Sequence, residues 1–180
     1  MFLTFDDGPV PDVTPWVLDT LKTHKAKATF FCIGDNIRKY PELFQQIIDE
    51  GHSVGNHTFS HLNGWKTSSK TYLENVEACK QEIELHSAPT HLFRPPYGKC
   101  TSTQAKALKR DAQQIIMWDI LSKDYKSSLS KKACFHCIER SARAGSIIVF
   151  HDSLKAKKNM KHALVKTLET FEEFTFSALK

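Results

Sequence analysis

Five short polar clusters stand out in this chain for the chemistry their residue types and spacing permit. Thr4-Phe5-Asp6-Asp7-Gly8-Pro9 sets two adjacent carboxylates at the end of an apolar run. Asp-Gly-Pro is good turn chemistry, so a plain turn would account for the glycine and proline. Two neighbouring carboxylates left unpaired would be costly if buried. Diverging at a strand end, they suit a division of labour in which one Asp binds a metal and the other acts as a base. His57-Thr58-Phe59-Ser60-His61 spaces two imidazoles at i and i+4, on one face if the segment is helical. Such a pair is a familiar metal-ligand motif. Two histidines and one carboxylate suit zinc, iron(II) or cobalt and leave positions open for water and substrate.

In Arg94-Pro95-Pro96-Tyr97-Gly98 the two prolines stiffen the backbone and leave Arg94 at a strand end. An exposed arginine on a rigid loop is the plain interpretation. The chemical one is that Arg94 forks onto a carboxylate and orients it, while the Tyr97 backbone N–H faces a developing oxyanion. Val149-Phe150-His151-Asp152 ends a buried run with a histidine that can serve as general acid if it points into a site. Trp118-Asp119 and Ser122-Lys123-Asp124-Tyr125 offer two carboxylates, Asp119 or Asp124, to hold that imidazole protonated. Trp118 adds an aromatic surface for substrate.

The elements that must position these clusters are legible as apolar runs alternating with helical patterns. Phe2 to Phe5, Ala28 to Ile33, His52 to Gly55, Leu92-Phe93, Ile115 to Leu121 and Ile147 to Phe150 read as buried strands, with a last strand around Phe174 to Phe176. Helices are expected from Thr14, as cap, with Pro15 following, from Pro41 to Gly51, over Ser69 to Leu85, Thr101 to Arg110, Leu129 to Ala144 and Asn159 to Phe171. Continuous apolar strands separated by helices indicate an α/β fold with a parallel sheet. In a parallel barrel the active site forms at the carboxyl ends of the strands, where all five clusters fall.

The ordered set TFDDGP, HTFSH, RPPYG, WD…SKDY and VFHD, spanning residues 4 to 152, resembles the polysaccharide deacetylases with a NodB-homology domain, carbohydrate esterase family four. The resemblance implies a distorted, incomplete (β/α) barrel of about seven strands. It implies Asp6 as catalytic base, Asp7, His57 and His61 as metal ligands, Arg94 orienting Asp6, and Tyr97 supplying an oxyanion N–H. Asp124 would tune His151, the general acid, and Tyr125 and Val149 would wall the acetyl pocket. It further implies a divalent metal, zinc first, with cobalt, nickel or iron as alternatives. The reaction would be removal of N-acetyl groups from N-acetylglucosamine-containing polysaccharide, peptidoglycan or chitin-like, with release of acetate. The family often carries tryptophan where Tyr125 stands and leucine where Val149 stands, so the pocket differs in shape. The competing functions are an acetyl-ester hydrolase on a xylan-like glycan and a catalytically silent sugar-binding module. No His-Glu-x-x-His is present to support a metalloprotease.

The 180 residues suit a single catalytic domain over 1–180. A net charge of +5 is spread along the chain without a basic, aromatic-interleaved stripe, which argues against a nucleic-acid partner. No apolar run reaches transmembrane length. Met1 leads straight into a strand, with no leader visible; if a leader was removed, a bacterial cell envelope is the expected location, and otherwise the cytoplasm. The five cysteines are expected to be free thiols, and the Cys134–Cys137 pair lacks the second pair that a metal site would need. Nothing in the sequence fixes an oligomeric state.

Overall fold

The computed structural model describes residues 1–86 and 88–180. Seven strands, β1 (Phe2–Asp6), β2 (Ala28–Cys32), β3 (Ser53–Asn56), β4 (Leu92–Phe93), β5 (Gln114–Ile115), β6 (Ile120–Leu121) and β7 (Ile147–His151), form one sheet. Their order is β5-β4-β3-β2-β1-β7-β6 and every pairing is parallel. Among the described residues no pairing joins β5 to β6. The sheet therefore curls without closing, giving the incomplete (β/α) barrel expected.

The central strands are buried because helices cover the outer face and side chains fill the inner one. β2 is buried along its whole length. Phe5 of central β1 stacks on Phe30 and Phe150 of its two neighbours, with ring centroids 5.0 and 5.6 Å apart. Such pairs add about 1 kcal/mol each beyond the area they bury. Around the sheet run α1 (Thr14–Thr23), α2 (Gly34–Lys39), α3 (Pro41–Asp49), α4 (Ser69–Glu84), α5 (Ser102–Arg110), α6 (Lys131–Glu139) and α7 (Lys157–Thr170). α5 starts with a full capping box, in which the Thr101 and Gln104 side chains each take the other's backbone N–H.

Several local expectations differ from the structure. Thr14 does not cap α1; its hydroxyl donates to Asp152 Oδ2 at 2.6 Å and accepts from Val10 N, and Val13 stands at the cap position. The run from Ile115 to Leu121 is two short strands rather than one. Ile116 N still pairs with Phe93 O, but Arg94 Nε takes the Ile116 carbonyl and the chain then turns across the barrel mouth. α2, which the sequence did not suggest, fills the segment after Gly34, and α6 is shorter than Leu129 to Ala144. Phe174 to Phe176 is irregular chain, not a strand. It closes the amino-terminal end of the barrel through isolated bonds, Lys27 N to Phe176 O and Ser177 N to Met1 O, with Phe176 buried. All five cysteines are free, and Cys32 is fully buried. No described helix is long and apolar enough to cross a membrane.

Candidate active site

β1 delivers Asp6 and Asp7 to the carboxyl end of the barrel, between β2 and β7. Asp6 is buried and accepts a 2.7 Å bond from Arg94 Nη1. Arg94 follows β4 and is wholly buried, so it is not the exposed arginine of a stiff loop. Nor does it fork onto the carboxylate. Nη1 alone serves both Asp6 Oδ1 and the Thr4 hydroxyl, while Nε takes Ile116 O. The guanidinium plane is sandwiched between Phe31, 4.1 Å from its centroid, and Trp118 at 5.6 Å. This fixes Asp6 from across the sheet in a medium where a paired charge is worth most.

The two histidines come from the loop after β3, which is an arch and not a helix. Thr58 and His61 both have positive φ, 63° and 54°, so i, i+4 spacing places the rings together by a different route. Their centroids are 5.1 Å apart. The first two N–H groups of α2 hold the arch by donating from Gly34 to Thr58 O and from Asp35 to Phe59 O. Phe59 packs so closely that a Cβ at Gly34 would stand 2.5 Å from its ring, which explains the glycine. The Asn56 side chain takes Thr58 N and gives a bond to Val76 O, bracing the arch from inside.

His57 Nδ1 lies 2.7 Å from Arg94 O, which requires the hydrogen on Nδ1 and leaves the Nε2 lone pair free. His61 Nδ1 contacts the Tyr97 hydroxyl at 3.1 Å, which sets the orientation of the second ring. Both Nε2 atoms face Asp7 Oδ1, at 3.8 and 3.3 Å. That oxygen is buried yet makes no well-aligned hydrogen bond. Atoms of Asp7, His57 and His61 lie within 4.8 Å of one another. Lone pairs converging on one point, with an orphaned carboxylate oxygen among them, are the donor set of a divalent cation. Burial alone would raise the Asp7 carboxyl, but the contact with His61 and the charges of His151, His57 and His61 outweigh it and hold it at about 2. Burial pushes His57 down, toward the neutral form that ligates.

β7 ends in His151 on the facing wall. Its Nδ1 lies 2.7 Å from Asp124 Oδ1, and its backbone N donates to Asp124 Oδ2 at 2.8 Å. Asp124 is wholly buried. Burial disfavours imidazolium, but the hydrogen bond and charge of Asp124, with Asp6 and Asp7 beyond, raise His151 to about 9. Asp119, the other candidate for this partner, sits at the opposite end of β7, bonded to Ser146 Oγ and Ile147 N. Tyr125 packs edge-on against His151 at 4.9 Å.

Asp6, Asp7, His57, His61 and His151 line one cavity of about 520 Å³, together with Tyr97, Trp118, Tyr125 and Val149. Sequence reasoning missed Leu121, Lys99 and Lys155 in the same wall. Leu121 ends the expected strand, Lys99 follows the RPPYG cluster by one residue and Lys155 follows VFHD by three, so the carboxyl-end rule could have found them. It also missed Asp152, which accepts from Gly8 N and the Thr14 hydroxyl while its own N–H donates to Asp6 O. A Cβ at Gly8 would fall 2.1 Å from that carboxylate. Burial lifts Asp152 to about 8, although the Thr14 bond works against the rise.

Residues 1–115 match the family model described as polysaccharide deacetylase. The chain belongs to the polysaccharide deacetylase family. A peptidoglycan-N-acetylglucosamine deacetylase from Bacillus cereus is 34% identical over 168 residues, covering 92% of this chain and 78% of that protein. The solved structure of the peptidoglycan deacetylase PdaC from Bacillus subtilis aligns with a TM-score of 0.86 at 31% identity, over 99% of this chain and 86% of that chain. This chain spans only 35% of the full length of PdaC and 55% of a second B. cereus deacetylase. A polysaccharide deacetylase fold does not guarantee activity. A family-four pseudoenzyme from Bacillus anthracis shares the fold with a TM-score of 0.86 at 23% identity, over 99% of this chain and 63% of that one.

Proposed function

We propose that this polysaccharide deacetylase is a metal-dependent hydrolase that removes N-acetyl groups from N-acetylglucosamine-containing glycan, of peptidoglycan or chitin-like type, releasing acetate. The observation that carries this reading is the convergence, in one cavity, of three cation-ligand atoms, an arginine-held carboxylate and a carboxylate-held imidazole. Deacetylase names among the relatives, directed at peptidoglycan and at chitooligosaccharide, support the substrate class.

In this mechanism Asp7, His57 and His61 hold the cation, zinc first, with cobalt, nickel or iron(II) accepted by the same donors. When bound, a divalent cation supplies Lewis-acid polarisation of a carbonyl oxygen and acidifies a hydrolytic water. Asp6 accepts the proton of the attacking water, and its pairing with Arg94 keeps the carboxylate aimed. The Tyr97 backbone N–H donates to the acetyl oxygen as negative charge builds there; loss of such a donor costs about 100-fold or more. His151, protonated at neutral pH by virtue of Asp124, gives its proton to the leaving amine nitrogen. Val149, Tyr125 and Trp118 enclose the acetyl group and exclude water from it.

The test is acetate release from N-acetylglucosamine oligomers by chelator-stripped protein, before and after zinc, cobalt or nickel is returned. Release that is absent without metal and restored by it is expected. Protein that binds metal and releases no acetate overturns the hydrolase assignment and favours a catalytically silent glycan-binding module. Release from acetyl esters but not from amides moves the substrate to acetylated xylan-like glycan.

A further inference from the structure

Six large hydrophobic side chains stand exposed among the described residues, and four of them, Trp65, Tyr97, Met117 and Leu154, sit on loops at the carboxyl end of the barrel. Single exposed hydrophobics are ordinary on a protein surface. Trp65 differs because it is both open and immobilised. It is 65% exposed. Its Nε1 donates to Cys100 O at 3.1 Å, its backbone N donates to Asn63 Oδ1 at 3.0 Å, and the Lys99 ammonium lies 4.8 Å from its ring centroid.

The loop beneath it is built for rigidity. Gly64 N donates to Lys99 O, and the buried Gln104 amide donates to both Gly64 O and Thr67 O. A Cβ at Gly64 would lie 2.5 Å from Lys99 O, so only glycine lets the two loops approach so closely. Thus the chain just after His61 is welded to the chain just after Tyr97. Leu85, the most exposed hydrophobic among the described residues at 77%, offers the contrast: it simply caps the carboxyl end of α4. Lys99 connects the platform to the reaction centre, since the same side chain lines the cavity. Among the described residues it has no carboxylate partner, so its three N–H donors are available to a ligand.

We propose that Trp65 and Lys99 form a second sugar subsite, in which the pyranose next to the acetyl-bearing sugar lays its C–H face on the exposed indole and gives an oxygen to the Lys99 ammonium. This rests on the deacetylase assignment of the cavity and deepens it: the substrate is a glycan chain of two or more sugars, bound beyond the sugar that reacts. A flat, rigid aromatic with its N–H already satisfied matches a sugar ring, whose faces are apolar and whose edge is polar. Preorganisation spares the ordering cost that a mobile loop would bring to binding.

The experiment compares wild type, Trp65→Ala, Trp65→Phe and Lys99→Met. It uses the N-acetylglucosamine dimer and pentamer, with metal-loaded protein for turnover and calorimetric binding of the pentamer as a second readout. Wild type should prefer the pentamer. Trp65→Ala should weaken pentamer binding and raise its KM by about tenfold, with little change in kcat, and so flatten the pentamer-to-dimer ratio of kcat/KM. Trp65→Phe should restore most of the loss, and Lys99→Met should fall between. A Trp65→Ala protein with the wild-type ratio and the wild-type pentamer affinity overturns the subsite. If no variant releases acetate with any metal, the hydrolase assignment fails, and the calorimetric comparison still decides the subsite by itself.

Discussion

Two histidine–carboxylate groups face each other across the cavity, and their geometries are opposite. On the β7 side, Asp124 grips His151 through two bonds of 2.7 and 2.8 Å, so every polar atom of that carboxylate has a partner. On the β1–β3 side, Asp7 Oδ1 stands 3.3 to 3.8 Å from two imidazole nitrogens and is aligned with neither. The first group is complete and stores a proton. The second is incomplete and calls for a cation, since His57 has its Nδ1 hydrogen committed to the Arg94 carbonyl and His61 has its Nδ1 engaged by the Tyr97 hydroxyl, so that both rings turn Nε2 toward Asp7. The same residue types therefore give a proton donor or a metal centre according to where the neighbouring carbonyls and hydroxyls lie.

The largest effect should come from emptying the incomplete group. Asp7→Ala should abolish stoichiometric zinc binding, measured by metal analysis, and reduce acetate release to background. Loss of a mere supporting contact costs about 10–100-fold in metal affinity or activity, so loss of a ligand lies beyond that range. Zinc at about 100 times its dissociation constant should stabilise the wild type by about 2.7 kcal/mol and the variant not at all. Without metal the variant should melt modestly below wild type at neutral pH, because it loses the His61 contact and the charges of His151 and His57 that hold the Asp7 carboxyl low. A variant that still binds one zinc per chain would sink the ligand assignment.

Breaking the complete group should have a smaller and pH-dependent effect. His151 is raised to about 9, above its ordinary value of 6.5. A raised imidazole contributes stability that is fully present below the unfolded value and is lost as pH rises through about 9. Turnover that needs protonated His151 should fall over the same alkaline range. Asp124→Asn removes the charge that sustains the imidazolium, so the alkaline limb of kcat/KM should move toward neutrality. The melting-temperature gap between variant and wild type should be widest at about pH 6.5 and below, narrow as pH rises through neutrality and close above pH ~9. An unmoved alkaline limb would separate Asp124 from the proton donor. General acid catalysis contributes about 100- to 10,000-fold, which bounds the loss at neutral pH.

The two groups were unequally legible in the sequence. Asp6, Asp7, His57, His61, Arg94 and His151 fall at the ends of apolar runs, and the barrel geometry gathers such positions without further information. The parallel sheet was legible for the same reason: ATFFC and IIVF are apolar on both faces. What was not legible depends on contacts between distant segments. The His57–His61 arch takes its shape from α2 and from Asn56 and Asn75, so the rings meet through tertiary bonds and not through the helical geometry that would pair them at i, i+4. The break between β5 and β6 depends on Arg94 reaching the Ile116 carbonyl. Asp152 hid behind His151, because nothing in a local window shows that Gly8 and Thr14 will arrive at its carboxylate.

Asp119 sharpens the comparison by supplying a third carboxylate with no histidine. In the sequence it competes with Asp124 for His151, yet it lies at the far end of β7 and takes Ser146 Oγ at 2.8 Å and Ile147 N at 2.7 Å, with Arg143 only 3.9 Å away. Its work is to start the strand that ends in His151. Asp119→Ala removes two hydrogen bonds of about 1 kcal/mol each from a partly exposed site. The melting temperature should therefore fall by roughly 4–8 °C. The alkaline limb of kcat/KM and the zinc stoichiometry should match wild type. Were the Asp119→Ala limb to move as far as that of Asp124→Asn, the proton on His151 would depend on the placement of β7 as a whole, and the local grip of Asp124 would lose its special standing.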